Sequence, residues 1–132
     1  PDFKFSRIVI GHSAGGSAIA SAAKYGGLCK AKPVGVVFSD STYGKWFDKS
    51  WNGCLKNYSK VSNVRIMVLG QSFGRPWKNY LRWAKKQKKA SSTIESYRLP
   101  IPWTHKRIGN NAIPFFYSRF LDEKYQNIYE SR

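Results

Sequence analysis

Three short apolar runs, each followed by a segment of helical character, constrain the fold of this chain most. They lie at residues 8–10 (IVI, the end of a strand predicted over residues 3–10), 33–38 (PVGVVF) and 64–69 (VRIMVL). Runs without polar alternation are typical of strands that are buried on both faces of a sheet. Helices are predicted at residues 17–25, 46–58 and 75–89, a fourth strand at 93–99, and a last helix at 108–129, broken at Pro114. This alternation predicts an α/β fold, a parallel sheet with helices on both faces.

The chain is also strongly basic. Its 23 Lys and Arg residues exceed its 7 Asp and Glu residues, which gives a formal net charge of +16. Such a charge favours contact with an acidic partner, such as nucleic acid, anionic lipid or an anionic cell-wall polymer. The length of 132 residues suits one modest domain. No apolar run approaches the roughly 18–20 residues that a membrane span needs.

The first apolar run leads directly into GHSAGG, residues 11–16, which we call the elbow. This segment matches G-x-S-x-G, in which a serine, here Ser13, sits on a tight turn between a strand and a helix. Small neighbours let the strand and the helix approach closely, so the serine hydroxyl points outward at the edge of the sheet. The backbone N–H of Ala14 would then point toward a developing oxyanion.

The elbow, with a buried strand before it and a helix of small residues after it, resembles the α/β-hydrolase superfamily. Esterases, lipases and related peptidases of that superfamily often carry GHSAGG or close variants. The resemblance implies a serine hydrolase that cleaves a carboxylic ester or related acyl bond through an acyl-enzyme. It also implies a triad in the chain order serine, acid, histidine, with Ser13 as the nucleophile.

Two histidines could supply the base. His12 adjoins Ser13 on a sharp turn, so we expect its side chain to point away and to pack under the elbow. His105 lies on a predicted loop after the fourth strand, and the superfamily places its catalytic histidine on such a late loop. We therefore predict His105 as the general base.

The acid has two candidates. Asp40 directly follows the second strand, and sites in α/β proteins gather at the carboxyl ends of the strands. The superfamily more commonly places its acid one strand later, where the loop here has no carboxylate, so Asp40 fits a minority pattern. Asp40 could instead cap the following helix or form an Asx-turn. Glu95 would then be the acid.

Aromatic residues near the predicted triad are candidates for a substrate pocket, and they are Tyr43, Trp46 and Trp103. We expect no cofactor and no metal, because the glycine spacing fits neither a phosphate-binding loop nor a dinucleotide fingerprint and the cysteines fit no metal spacing. The sequence leaves open whether Cys29 and Cys54 pair, and it leaves the compartment open.

We predict that residues 1–132 form a single partial α/β-hydrolase-like domain that lacks its first strands. The nucleophile strand is normally the fifth in the superfamily, and the earlier strands pair with it and supply a second oxyanion N–H. Without them the first strand would expose a long apolar edge. We therefore expect a partner, either the missing N-terminal half of the domain or a second chain.

A cluster of lysines follows the third predicted helix and consists of Lys85, Lys86, Lys88 and Lys89. Cations suit the solvated carboxyl end of a helix, and that role alone would explain them. They could also form a surface for an anionic partner. The alternative to a hydrolase is accordingly a non-catalytic module on the same scaffold that binds an anionic polymer or lipid surface.

Overall fold

The structure is a computed structural model that describes the backbone of residues 6–130 and the side chains of residues 6–119. Within this range four strands form one sheet in the order β1-β2-β3-β4, and every neighbouring pair is parallel. The strands are β1 (Ile8–His12), β2 (Gly35–Ser39), β3 (Arg65–Gln71) and β4 (Glu95–Leu99). Residues 3–5 of the predicted first strand lie outside the described residues.

Helices fill the connections between the strands. They are α1 (Gly15–Lys24), α2 (Gly27–Lys30), α3 (Trp46–Ser50), α4 (Lys56–Val61), α5 (Arg75–Lys86), α6 (Lys88–Ser91) and α7 (His105–Glu130). A π-helical turn, Trp51–Leu55, joins α3 to α4. The predicted α/β fold is confirmed. In the part of the chain that the structure describes, no helix is long and apolar enough to cross a membrane.

The sheet separates two apolar cores. Helices α1, α3, α4 and α5 cover one face, and α7 covers the other. Aromatic rings dominate the first core, where Phe47 packs edge-on against Tyr80 and Trp83 at centroid distances of 5.2 and 4.6 Å. Each such pair contributes about 0.5–1.5 kcal/mol beyond its buried area. The rings on α5 therefore belong to the core.

The two cysteines form a disulfide, which the sequence left open. Cys29 on α2 is bonded to Cys54 in the π-helical turn, at a sequence separation of 25. The π-helical turn approaches α1 closely here, since Gly53 has no side chain. A Cβ on Gly53 would lie 2.9 Å from the carbonyl carbon of Ala23. The bond therefore ties the helical layer together on the α1 side of the sheet.

The structure corrects the prediction that the first strand is buried on both faces. Residues 8–10 are half-buried, because β1 is an edge strand of the described sheet and pairs only with β2. Strand β3 also extends through Gly70 to Gln71, two residues beyond the predicted run. A Cβ on Gly70 would lie 2.7 Å from the Trp77 ring, so the glycine lets α5 pack closely on the strand.

The last two predicted helices also differ from those observed. Helix α5 ends at Lys86 because Gln87 has a non-helical backbone, with φ −121° and ψ 55°. Helix α7 begins at His105 and runs through Pro114 without the predicted break. A proline removes one helical hydrogen bond, here to the carbonyl of Asn110. Both residues are exposed, so water can satisfy that carbonyl.

Candidate active site

The elbow joins β1 to α1, with Ser13 at its apex. Ser13 has φ 55°, a left-handed conformation that a residue with a side chain adopts only at a cost. The glycines around it are required by close packing. A Cβ on Gly11 would lie 2.7 Å from Cδ1 of Ile19, and a Cβ on Gly16 would overlap the carbonyl oxygen of Ser41. The predicted strand–turn–helix geometry is therefore present.

Helix α1 begins at Gly15, two residues after Ser13 in the chain. Ala14 is exposed and occupies the N-cap position. Its backbone N–H makes no hydrogen bond within the described residues. A free N–H at the positive end of a helix can donate to a negatively charged oxygen.

Asp40 follows β2 at the same edge of the sheet and is almost fully buried, with 2% of its side chain exposed. Its own N–H donates to the carbonyl oxygen of Leu69 over 2.8 Å, and its φ of 48° turns the chain sharply. The N–H of Gln71 donates to Asp40 Oδ1 over 3.2 Å. The carboxylate of Asp40 is therefore held in place from the carboxyl ends of β2 and β3.

The second carboxylate oxygen of Asp40 binds His105. His105 Nδ1 donates to Asp40 Oδ2 over 2.6 Å. This leaves Nε2 of the neutral ring without a proton, so Nε2 can accept one. Within the described residues no hydrogen bond joins Nε2 to the Ser13 hydroxyl. Such bonds are often long before substrate binds.

We predicted His105 on a loop, but it is the first residue of α7. The loop before it is short, and Thr104 caps the helix by accepting a hydrogen bond at its hydroxyl from the Arg107 N–H over 3.1 Å. The side chain of His105 is 38% exposed, unlike that of Asp40. Its ring can therefore face solvent and a bound ligand while one nitrogen contacts the buried carboxylate.

The alternative acid, Glu95, pairs with a different residue. It begins β4, so it lies at the amino edge of the sheet, opposite the edge where Asp40 lies. Its carboxylate forms a bidentate ion pair with Arg65, in which Arg65 Nε donates to Glu95 Oε2 over 2.9 Å. The structure thus brings Asp40 to His105 and does not bring Glu95 there.

His12 has a contact that the sequence analysis missed. Its ring packs below the elbow, as expected, where Nδ1 donates to the carbonyl oxygen of Ser39 over 2.8 Å. The same ring also lies on the ring of His105, with centroids 4.3 Å apart and planes tilted by 31°. Strand alternation places His12 on the face of Ile8 and Ile10, which α7 covers, and this signal could have predicted the contact.

The predicted pocket residues lie in two places. Tyr43 and Trp46 pack edge-on at 5.6 Å, and Trp46 lies against Gly16 of the elbow. Burial, and then the negative charge of Asp40, raise the pKa of Tyr43. Trp103 packs instead against the core under α7, and Arg107 lies over its ring at 4.1 Å. A groove of about 520 Å³ lies between α1 and α3 and is lined in part by Trp46.

The four predicted lysines are exposed and remote from this site. Lys85 and Lys86 end α5, and Lys88 and Lys89 belong to α6. A helix that follows a parallel strand runs back toward the amino edge of the sheet. The lysines therefore lie toward the edge opposite Ser13 and Asp40.

Comparison of the chain with protein-family models, with curated proteins and with solved structures finds no match. The site must therefore be interpreted from its own geometry. In the described residues, no group of three or more His, Cys, Asp or Glu side chains is arranged to hold a metal ion.

Proposed function

We propose that this chain carries the triad of a serine hydrolase of the α/β-hydrolase type, with Ser13 as nucleophile, His105 as base and Asp40 as acid. The observation that carries the proposal is the 2.6 Å hydrogen bond from His105 Nδ1 to the buried Asp40 Oδ2. It lies at the carboxyl edge of the sheet, where the strained Ser13 also lies. The proposed substrate is a carboxylic ester or related acyl compound.

The reaction proceeds by acyl transfer. His105 Nε2 takes the proton of Ser13 Oγ as the oxygen attacks the substrate carbonyl, and the Ala14 N–H donates to the resulting oxyanion. His105 then gives the proton to the leaving group, and an acyl-enzyme remains. Water, activated by the same nitrogen, releases the acid product. Asp40 holds the required tautomer and stabilises the charged ring.

The burial of Asp40 supports this assignment over a capping role. An ionised carboxylate that is removed from water must be paired and hydrogen-bonded. Asp40 has both partners, one N–H from Gln71 and one from His105. A cap would bind the first turn of the next helix, whereas no side-chain cap is found at α3.

We further propose that the open side of β1 binds a partner, either another part of the same domain or a second chain. Ile8 and Ile10 on this edge strand are only half-buried. Beside them Ile113 and Tyr117 of α7 are 58% and 48% exposed, and together they border a groove of about 240 Å³. Within residues 6–130 no strand pairs with this side of β1, and an unpaired apolar edge is a template for another strand. That partner would also supply the second oxyanion donor.

A fluorophosphonate serine probe tests the hydrolase proposal. The full-length protein should be labelled covalently, and Ser13→Ala should abolish the labelling. Ser17→Ala is the matched control, because Ser17 lies one turn later on α1 and has no proposed role. If the folded wild-type protein is not labelled, or if Ser13→Ala is labelled equally, the proposal is wrong.

The second candidate is a non-catalytic module that binds an anionic polymer, and the exposed lysines of α5 and α6 favour it. Replacing Lys85, Lys86, Lys88 and Lys89 by Gln should then weaken binding to a polyanion such as heparin and reduce its salt dependence. The matched control replaces four exposed lysines elsewhere, at positions 30, 32, 45 and 49. Equal losses in both variants would indicate only the general charge of the protein.

A further inference from the structure

We infer that His12 is a positioning residue for His105: its ring is the platform that holds the His105 imidazole between Asp40 and Ser13. The inference rests on the proposed hydrolase function. It assigns a task to the residue before the nucleophile, for which the triad itself has no use. Four observations support it.

The first is that the His12 ring is itself fixed. His12 ends β1 and pairs with Ser39, the last residue of β2. Its Nδ1 lies 2.8 Å from the carbonyl oxygen of Ser39 and 3.2 Å from the hydroxyl oxygen of the same residue. Because a carbonyl oxygen can only accept, Nδ1 carries the hydrogen. The ring is thus anchored to the rigid end of the sheet.

The second is the contact between the two rings. A centroid distance of 4.3 Å and a tilt of 31° bring the rings into face contact. The Asp40 bond restrains His105 at Nδ1 only, so the side chain could still swing away through rotation about χ1 and χ2. A flat neighbour against the ring limits this movement, so Nδ1 stays on the carboxylate and Nε2 stays on the opposite side of the ring.

The third is the close approach of α7. A Cβ on Gly109 would have its three nearest neighbours on the His12 ring, with Nε2 at 2.7 Å. Gly109 lies one turn after His105 on the same helix. The absent side chain therefore lets α7 settle on His12, and this brings His105 onto the platform.

The fourth is chemical. His105 becomes an imidazolium when it takes the proton of Ser13. An uncharged ring against its face stabilises that cation, whereas a positively charged side chain there would repel it. When His12 is neutral, its one ring proton is the Nδ1 proton that binds the Ser39 carbonyl oxygen. The platform would therefore act most strongly on the transition state.

Three variants test the inference. His12→Phe keeps a flat ring, His12→Ala removes it, and Gly109→Ala pushes against it. We expect His12→Ala to slow probe labelling and lower kcat on a nitrophenyl ester about 10- to 100-fold with little change in KM. His12→Phe keeps the ring but loses the bond to Ser39, so it should lie between wild type and His12→Ala. Gly109→Ala should slow labelling although alanine is the better helix former.

A proton NMR measurement gives a readout independent of turnover. The His105 Nδ1 proton that bonds Asp40 should resonate far downfield in wild type and His12→Phe, and should broaden or vanish in His12→Ala. Thermal melting identifies any variant that fails to fold. The inference is overturned if folded His12→Ala keeps this resonance and the wild-type labelling rate, or if Phe and Ala impair the protein equally. An unlabelled wild type would instead count against the proposed function, and the resonance would still test the platform.

Discussion

Asp40 turns the chain at φ 48° just after β2, so its carboxylate returns toward the sheet edge instead of continuing along the strand. One of its oxygens binds the Gln71 N–H and the other binds His105. An asparagine fits the same space, but its amide presents one oxygen and one NH₂ group. The NH₂ group cannot accept from His105 Nδ1, so the ring would favour the wrong tautomer.

We therefore predict that Asp40→Asn lowers kcat for ester hydrolysis by about a thousandfold or more, while the protein stays folded. Glu95→Gln is the matched control, since it also neutralises a carboxylate. It should leave kcat unchanged and cost about 1 kcal/mol or less of unfolding free energy, because only the partly exposed pair with Arg65 is lost. Steady-state kinetics and urea unfolding measure both. A larger fall in kcat for Glu95→Gln would reverse the assignment of the acid.

Tyr43 provides a pH prediction. Burial, and then the charge of Asp40, raise its pKa above the ordinary value of 10.0. The folded protein thus holds the phenol proton more tightly than the unfolded chain. This contribution to stability is present below pH 10 and is lost as pH rises through the folded-state pKa. The tyrosinate absorbance that Tyr43→Phe removes should titrate above pH 10. Asp40→Asn should lower the pKa of Tyr43 but leave it above 10.0, because burial remains. An unchanged titration would show that the charge of Asp40 does not raise this pKa.

At the scale of single residues, the sequence predicts what depends on the chain alone. The elbow pattern predicts Ser13 as the nucleophile, and the position directly after the second apolar run predicts Asp40 as the acid. The choice between Asp40 and Glu95 depends on which edge of the sheet each occupies, and that follows only from the strand boundaries. Strand alternation places His12 on the face of the sheet that α7 covers, so the sequence holds a signal for this contact. Its partner His105 follows only from the structure, because it depends on where α7 begins.

At the scale of elements, the strand–elbow–helix unit works because two of its glycines lie where another chain segment passes. Gly11 faces Ile19 on α1, and Gly16 faces the Ser41 carbonyl in the loop that carries Asp40. The elbow is therefore in direct contact with the loop that carries Asp40 and Ser41, which we call the acid loop. A shift of one displaces the other.

The adjacent glycines allow a matched test of this contact. Gly16→Ala should cost about 1–3 kcal/mol of unfolding free energy and slow the probe reaction, because its Cβ overlaps the Ser41 carbonyl. Gly15→Ala places its Cβ in open space and should leave stability unchanged or slightly higher. Chemical denaturation compares the two. Equal stabilities would show that the elbow and the acid loop are not tightly packed.

The helices were harder to predict than the strands. Unbroken apolar runs located β2 and β3 within two residues at either end. The start of α7 was missed because no apolar periodicity begins there, although Thr104 in the capping position was a signal for it. Its continuation through Pro114 was missed because an exposed proline on a long helix loses only one hydrogen bond.

At the scale of the whole molecule, the disulfide joins α2 to the π-helical turn, both in the helical layer on the α1 side of the sheet. Closing a loop of this length removes conformational entropy from the unfolded chain, about 3 kcal/mol at room temperature. Disulfides persist mainly in oxidising compartments. The bond between Cys29 and Cys54 would therefore persist under oxidising conditions.

We predict that reduction of Cys29–Cys54 lowers the melting temperature by roughly 10 °C, from the usual relation between stability and melting temperature for a domain of this size. The double variant Cys29→Ala/Cys54→Ala should melt at the reduced temperature and should not respond to reductant. Differential scanning calorimetry measures both. If reductant leaves the wild-type melting temperature unchanged, the bond does not stabilise the fold.

The parallel sheet also determines where this protein can be altered by design. The proposed chemistry lies at the carboxyl edge, whereas the turns before β2, β3 and β4 lie at the opposite edge. Val61 is 84% exposed, and Asn63 in the turn after it is exposed as well. Exposed turns of this kind tolerate inserted sequence, whereas buried and hydrogen-bonded segments do not. A fluorescent tag, an affinity handle or new chain termini would therefore be placed between α4 and β3, where they would leave the carboxyl ends of the strands at the other edge undisturbed.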